Sequence, residues 1–456
     1  MHSEDRRVVG TAAASHALVH AHELSIPILI SVWLAEYSVT PALLGVVATV
    51  AYGCFGAGAL PAGVLADRVG ASRLIGASLL GSGGAFLLVG GAGWLPLENV
   101  APLGVPGPVW AIALALAIWG VAASAYHPSG LTLLSTAVEQ RGRGFALHGA
   151  AGNVGIATGP LLTILLLELV SWQTVAVVLG VGAIVVGLSA TVLDVDTATA
   201  DATTNDGAAT ANDDATAADD SATANSATAD QDAETAPDGG DATADASSSL
   251  RGELQTIRSV LGGPFLVVLA IVIASGLYYR GALTFLPEIL ADLDWLTPID
   301  VGSRELPAAR LVYVGVLAVG VVGQLVGGRL SDTLEPSRGI AAAFLGLAIL
   351  AVAFPIASAA GAVPLLVVAA LLGGALFVVQ PLYQAAVAEF TPEAARGASY
   401  GLTYLCVFGI GALGGALAGG LLTVATAEAL FFGLAAIAGV AALLAGGLAT
   451  GRLGGA

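Results

Sequence analysis

Apolar residues fill twelve stretches of this chain, and each is close to or above the about 20 residues that an α-helix needs to cross a bilayer. They run from roughly 12 to 37, 42 to 66, 74 to 93, 109 to 137, 145 to 168, 172 to 193, 264 to 291, 307 to 330, 339 to 359, 363 to 390, 398 to 422 and 427 to 449. Charged residues are confined almost entirely to the segments between them. The pattern predicts an all-α polytopic membrane protein with 12 transmembrane helices.

The pattern also repeats. Gly58, Leu60, Gly63, Leu65 and Asp67 return as Gly323, Leu325, Gly328, Leu330 and Asp332, each pair 265 positions apart. Both copies close an apolar stretch and place a carboxylate where the chain leaves it. Pro128, Arg143 and Gly144 return as Pro381, Arg396 and Gly397 at an offset of 253. The 12 extra residues of the first half fall in the loop around Pro96, Pro102, Pro106 and Pro108, where an internal duplication tolerates them. Two pseudo-symmetric six-helix bundles are therefore expected, one over 1–194 and one over 251–456.

Between them, residues 195–250 are Ala, Thr, Asp, Ser, Asn and Gly with almost no large apolar side chain, which predicts a disordered acidic linker. Composition then sharpens the class. The formal charge is -18, yet 14 of the 33 acids lie between Asp194 and Asp245, so the membrane part is nearly neutral and nucleic acid is not an expected partner. All 15 basic residues are arginine. Without lysine the chain has neither a P-loop to hydrolyse ATP nor a Schiff-base amine. No enzyme activity and no cofactor are expected. The two cysteines, Cys54 and Cys406, sit in apolar stretches of opposite halves and read as small core residues.

Arginine also sets the orientation. With the N-terminus inside, twelve arginines fall on the cytoplasmic side, only Arg304 and Arg310 fall outside, and Arg280 lies within a span. A multi-pass plasma-membrane protein with both termini cytoplasmic follows. Trp33, Trp94, Trp110, Trp172 and Trp295 fall at outer ends, as interfacial anchors would.

Gly63-Val64-Leu65-Ala66-Asp67-Arg68-Val69-Gly70, with Arg73 just beyond, resembles the signature that follows the second helix of the major facilitator superfamily. The resemblance covers the whole chain and implies alternating access by two rocking bundles and a monomer. It also implies a cytoplasmic gate formed by Gly63, Asp67, Arg68, Gly70, Arg73 and Arg143, with Asp332 and Arg396 in the second copy. After Asp332 that copy departs from the pattern, with Leu334 and Glu335 near the place of the glycine. The stronger lock is expected at Asp67. Ala125-Tyr126-His127-Pro128, then Gly152-Asn153-Val154-Gly155 leading to Gly159-Pro160, resembles the fosmidomycin-resistance exporter branch. Ser129 stands where that branch has a carboxylate. The same glycines also suit close helix packing.

Polar side chains inside spans are costly and normally line a cavity. His16, His20, Glu23 and Pro27 share one face of the first helix, and His22 points elsewhere. Glu23 with His20 is the expected proton-coupling pair. The His16, His20, Glu23 spacing would also suit a metal, but with no cysteine or further histidine cluster nearby and no H-E-x-x-H, no metal site is expected. His127 and Gln380 precede equivalent prolines and are expected across a central cavity, together with Asn153 and Gln384. Alternatively, His127 and Gln380 each cap the backbone beside the proline. Arg280 needs a partner, either an anionic or carbonyl-bearing cargo or an acid such as Glu23.

These residues point to a proton-coupled secondary transporter that exports a small organic or anionic compound, with the small molecule, the coupling proton and the lipid bilayer as its partners. An uptake symporter for an organic acid or inorganic anion is the alternative. A non-transporting membrane sensor is the alternative outside the transport class.

Overall fold

The computed structural model describes residues 2–97, 100–191, 262–302, 304–391 and 396–453. The expected acidic linker and the side chains of Asp67 and Arg396 lie outside the described residues. Twelve helices are long and apolar enough to cross a membrane, and they coincide with the twelve apolar stretches. In the first half they are α1 (Ser3–Tyr37), α2 (Pro41–Val69), α3 (Ala71–Ala92), α4 with α5 (Gly107–Ser124, Tyr126–Ala137), α6 (Arg141–Leu167) and α7 (Trp172–Thr191). In the second half they are α8 with α9 (Gly263–Leu283, Leu286–Ala291), α10 (Ala308–Thr333), α11 (Pro336–Ala360) and α12 (Ala362–Glu389). There α13 (Arg396–Tyr404), a π-helical turn (Leu405–Ile410) and α14 (Leu413–Val424) form one crossing, and α15 (Ala427–Ala449) forms the last. A short hairpin, β1 (Ile299–Val301) against β2 (Arg304–Leu306), joins α9 to α10.

The duplication is visible in the packing. In the first half α1 packs on α6, α2 on α4, and α3 on α7. In the second half the same scheme returns as α8 on α14, α10 on α12, and α11 on α15. The halves meet through two seams that exchange under the same symmetry: α2 against the π turn and α14, and α6 against α10.

Backbone chemistry explains where the helices break. Pro128 has no N–H for the Ser124 carbonyl, so the crossing opens at Ala125, and Ser129 Oγ satisfies the Ala125 carbonyl at 2.7 Å. Pro287 does the same at the α8–α9 break, where Thr284 Oγ1 donates to the Arg280 carbonyl at 2.6 Å. The equivalent Pro381 leaves α12 continuous. At the end of α2, Gly70 adopts φ 93°, which favours glycine, and α3 starts at once. At the corresponding helix end Glu335 stands at the position of the glycine and the capping Leu334 is extended (φ -111°, ψ 147°), so the second copy of the signature turns differently.

Two tryptophans depart from the interfacial expectation. Trp33 and Trp172 are buried and pack edge to face at 5.8 Å, and Trp172 Nε1 donates to Glu36 Oε2 at 2.6 Å. Trp94, Trp110 and Trp295 are exposed.

Candidate functional site

A cavity of about 440 Å³ lies between the halves. Its lining comes from α1, α5, α6, α8, α10, α12, α13 and the π turn, and includes His20, Glu23, His127, Asn153, Arg280, Gln380 and Gln384. The sequence-predicted cavity residues are thus brought together. Leu131, His148, Gln384 and Thr403 place the cavity in the half of the bundle nearer the chain termini. Beyond Glu23 and Arg280, toward the other face, hydrogen bonds join the halves. Tyr313 donates to the Leu24 carbonyl at 3.3 Å, Thr49 Oγ1 to the Ala412 carbonyl at 2.9 Å, and the Ala42 amide to Thr423 Oγ1 at 2.8 Å. Arg304 donates to the Glu168 carbonyl at that face.

The cavity's first wall depends on a glycine stripe. A β-carbon at Gly155 would overlap the Ala17 carbonyl, one at Gly159 the Ala21 backbone, and one at Gly152 would sit 2.5 Å from the His16 ring. Glycine at these positions lets α6 lie on α1 and brings His148 over His16, with ring centroids 3.9 Å apart and nearly parallel. Of the two readings of Gly155 and Gly159, close helix packing is the one the contacts support.

The floor is an ion pair across the halves. Arg280 Nη2 on α8 donates to Glu23 Oε1 on α1, and the two residues are only 3 % and 2 % exposed. The guanidinium also lies 3.6 Å above the ring centroid of Tyr52, whose hydroxyl donates to the Glu23 carbonyl at 3.0 Å. Of the two partners open to Arg280, it has the acid. Removing one member of such a pair strands a buried charge, at a cost of about 3–5 kcal/mol.

From Glu23 a hydrogen-bonded chain runs toward the open end. His20 Nδ1 lies 2.7 Å from Glu23 Oε2, His20 Nε2 is 3.1 Å from His16 Nε2, and His16 Nδ1 is 2.8 Å from the His148 carbonyl. The partners fix the tautomers. A carbonyl oxygen only accepts, so His16 Nδ1 carries a proton; a carboxylate paired with Arg280 accepts too, so His20 Nδ1 carries one. Two neutral rings would then aim two lone pairs at each other across 3.1 Å. A positive charge placed between them would relieve that contact.

His127 completes the cluster. It is 8 % exposed, stacks on Tyr404 and Phe408, and its Nε2 has no hydrogen-bond partner. It therefore does not cap the backbone through Nε2. His22 points away, as expected, donating from Nε2 to the Leu179 carbonyl at 3.1 Å and stacking on Phe86. Sequence reasoning missed His148, Tyr52, Tyr279, Tyr383, Tyr404, Phe408 and Gln324 as site residues.

The expected gate residues lie at the terminal-side face. Arg68, Arg73, Arg143 and Asp332 are exposed, and Gly63 and Gly70 are half-buried. No ion pair joins any of these charged residues among the described ones; the pair at that turn is Arg338 Nε with Glu335 Oε2 at 2.7 Å.

Comparisons with known proteins agree with this architecture. The sequence pattern of the Major Facilitator Superfamily matches residues 15–414 and 305–452. Among solved structures, the peptide transporter POT in complex with sulfate superposes with a TM-score of 0.68 at 12 % identity, covering 98 % of this chain and 95 % of that one. The inward-open xylose transporter XylE from E. coli gives 0.65 at 13 % identity, covering 95 % and 94 %. A bacterial homologue of the human lysosomal transporter Spinster, inward-facing and occupied, gives 0.64 at 14 % identity, covering 99 % and 98 %. The puromycin resistance protein pur8 of Streptomyces alboniger is 37 % identical over 122 residues, which span 26 % of this chain and 22 % of that protein. This chain belongs to the major facilitator superfamily: it is a twelve-helix membrane transporter, not an enzyme.

Proposed function

We propose that the chain is a proton-coupled exporter of a small organic compound, working as a monomer in the plasma membrane with both termini in the cytoplasm. The observation that carries this reading is the run Arg280–Glu23–His20–His16, which links a cross-half ion pair to two imidazoles 3.1 Å apart inside the cavity. The orientation rests on the arginine distribution, and it makes the described state inward-facing. Export is favoured by the partial likeness to a puromycin resistance protein.

Coupling follows from charge. A cationic cargo entering beside a proton held between His16 and His20 is repelled by it, so loading the cargo expels the proton, and proton binding expels the cargo. That reciprocity is antiport. In inside-out membrane vesicles, an acid lumen should drive accumulation of the cargo, and a protonophore should abolish it. Screening starts with puromycin and a panel of organic amines, amides and acids. No gradient-driven flux for any compound, with binding intact, would sink the reading in favour of a sensor.

Arg280 favours a second reading. An anionic cargo can replace Glu23 on the guanidinium, leaving the freed carboxylate to take up a proton. Anion and proton then move together, and the same vesicles would show the acid lumen driving the cargo out.

A further inference from the structure

We propose that His16, His20 and His127 bind a divalent transition-metal ion of the zinc class inside the cavity, each through Nε2, with a fourth position open to solvent or cargo. The ligand nitrogens of these three rings already lie within 4.8 Å of one another, on α1 and at the start of α5. Sequence reasoning set a metal aside because no cysteine or further histidine cluster stands near His16 and His20 in the sequence; the break before Pro128 brings His127 to them in space.

Three features distinguish the cluster from a chance gathering of imidazoles. First, its outer contacts are those of metal ligands. His20 gives its Nδ1–H to a carboxylate and His16 gives its Nδ1–H to a backbone carbonyl, at 2.7 and 2.8 Å. Such second hydrogen bonds turn Nε2 inward as a bare donor, fix the ring and raise its basicity. Second, the two bare nitrogens stand 3.1 Å apart, near the separation of about 3.3 Å that two imidazoles have on a tetrahedral ion with bonds of about 2.0–2.1 Å. Third, His127 Nε2 is buried and has no partner, so no hydrogen bond holds it back from a metal. The longest gap of the triad, at most 4.8 Å, has to close by about 1.5 Å to reach that tetrahedral separation, a shift that rotation of the unpartnered His127 ring supplies.

The donor set selects the ion. Three imidazoles without thiolate or carboxylate in the first shell suit zinc, copper, nickel or ferrous iron and exclude calcium and magnesium, which need oxygen ligands. Glu23 stays outside, held by Arg280 and aligning His20. His148 stays outside too, since its Nε2 lies 3.0 Å from the Tyr126 hydroxyl.

The site goes beyond the transport reading and does not depend on cargo or direction. The test titrates the purified full chain in detergent with Co²⁺ and reads the visible absorption that tetrahedral cobalt gives and octahedral cobalt lacks. One Co²⁺ per chain with tetrahedral bands is expected, and affinity should fall by at least about tenfold in His16→Ala and in His127→Gln. His22→Gln, a buried histidine outside the cluster, should leave it unchanged. X-ray absorption of the zinc-loaded wild-type chain needs no variant to fold and should show three imidazoles on the metal. Fewer than three imidazoles, absent tetrahedral bands, or equal loss in His22→Gln would overturn the site. Gradient-driven flux in the same preparation would leave the transport reading standing in that event.

Discussion

The two halves share one packing scheme and carry different chemistry. Helix pairs α1–α6, α2–α4 and α3–α7 recur as α8–α14, α10–α12 and α11–α15. Yet all six histidines of the chain lie in the first half, and the second half faces the cavity with Arg280, Gln324, Gln380, Gln384 and tyrosines. Proline shows the same divergence: the crossing breaks at Pro128 and continues through Pro381. Duplication preserves what packing needs. The side chains that face the cavity are free to differ, so the first half brings the imidazoles and Glu23 and the second brings Arg280, the partner of Glu23.

The strongest way to break this division is at the ion pair. Arg280→Ala leaves Glu23 buried without its cation, and a stability loss of about 3–5 kcal/mol is expected in thermal unfolding in detergent. Transport should fall about a hundredfold or more, because that energy also held the halves in register. Combining Arg280→Met with Glu23→Leu should restore stability without restoring transport. Wild-type flux in Arg280→Ala would mean the pair is incidental.

The seam comes next. A β-carbon at Gly56 would overlap the backbone at Gly409, and one at Gly45 would sit 2.5 Å from the Gly415 carbonyl oxygen. Gly56→Val should push α2 off the π turn, cost about 1–3 kcal/mol by overpacking and shift the population away from the described state. Spin-label distances across the α2–α14 seam would report the shift; unchanged distances would show that the seam adapts.

The gate compares the halves directly. Asp67→Asn should slow exchange about tenfold, since the lock implied by the family resemblance needs its charge, and Asp332→Asn less than about twofold, as for an exposed charge with no ion pair among the described residues. Equal effects would mean that the altered turn at Leu334 does not weaken the second copy. In the cavity, Gln380→Leu should lose one hydrogen bond to the cargo of about 0.5–1.5 kcal/mol and raise KM two- to tenfold with kcat kept.

Much of this was legible in the sequence because membrane spans and helix faces are local properties. Apolar runs gave the twelve crossings, and the four, three, four spacing from His16 to Pro27 put His16, His20 and Glu23 on one face. Contacts between helices were less legible. Glu23 was one of two partners left open to Arg280, since spacing within a helix does not say what the opposite half brings. His148 was visible only as part of a motif; its place over His16 depends on three glycines that let α6 settle on α1. Tyr52, Tyr404 and Phe408 look the same in an apolar run whether they face cavity, core or lipid. Trp33 and Trp172 illustrate the same limit, reading as anchors by position and proving to be buried by packing.

The central claim is that the imidazole pair and Glu23 couple protons to cargo movement, and gradient-driven flux in inside-out vesicles tests it most directly. Wild-type vesicles should respond to an imposed pH gradient, and His20→Ala and Glu23→Gln should lose that response, His20→Ala while still exchanging cargo across equal pH. A gradient response that survives both substitutions would contradict the account.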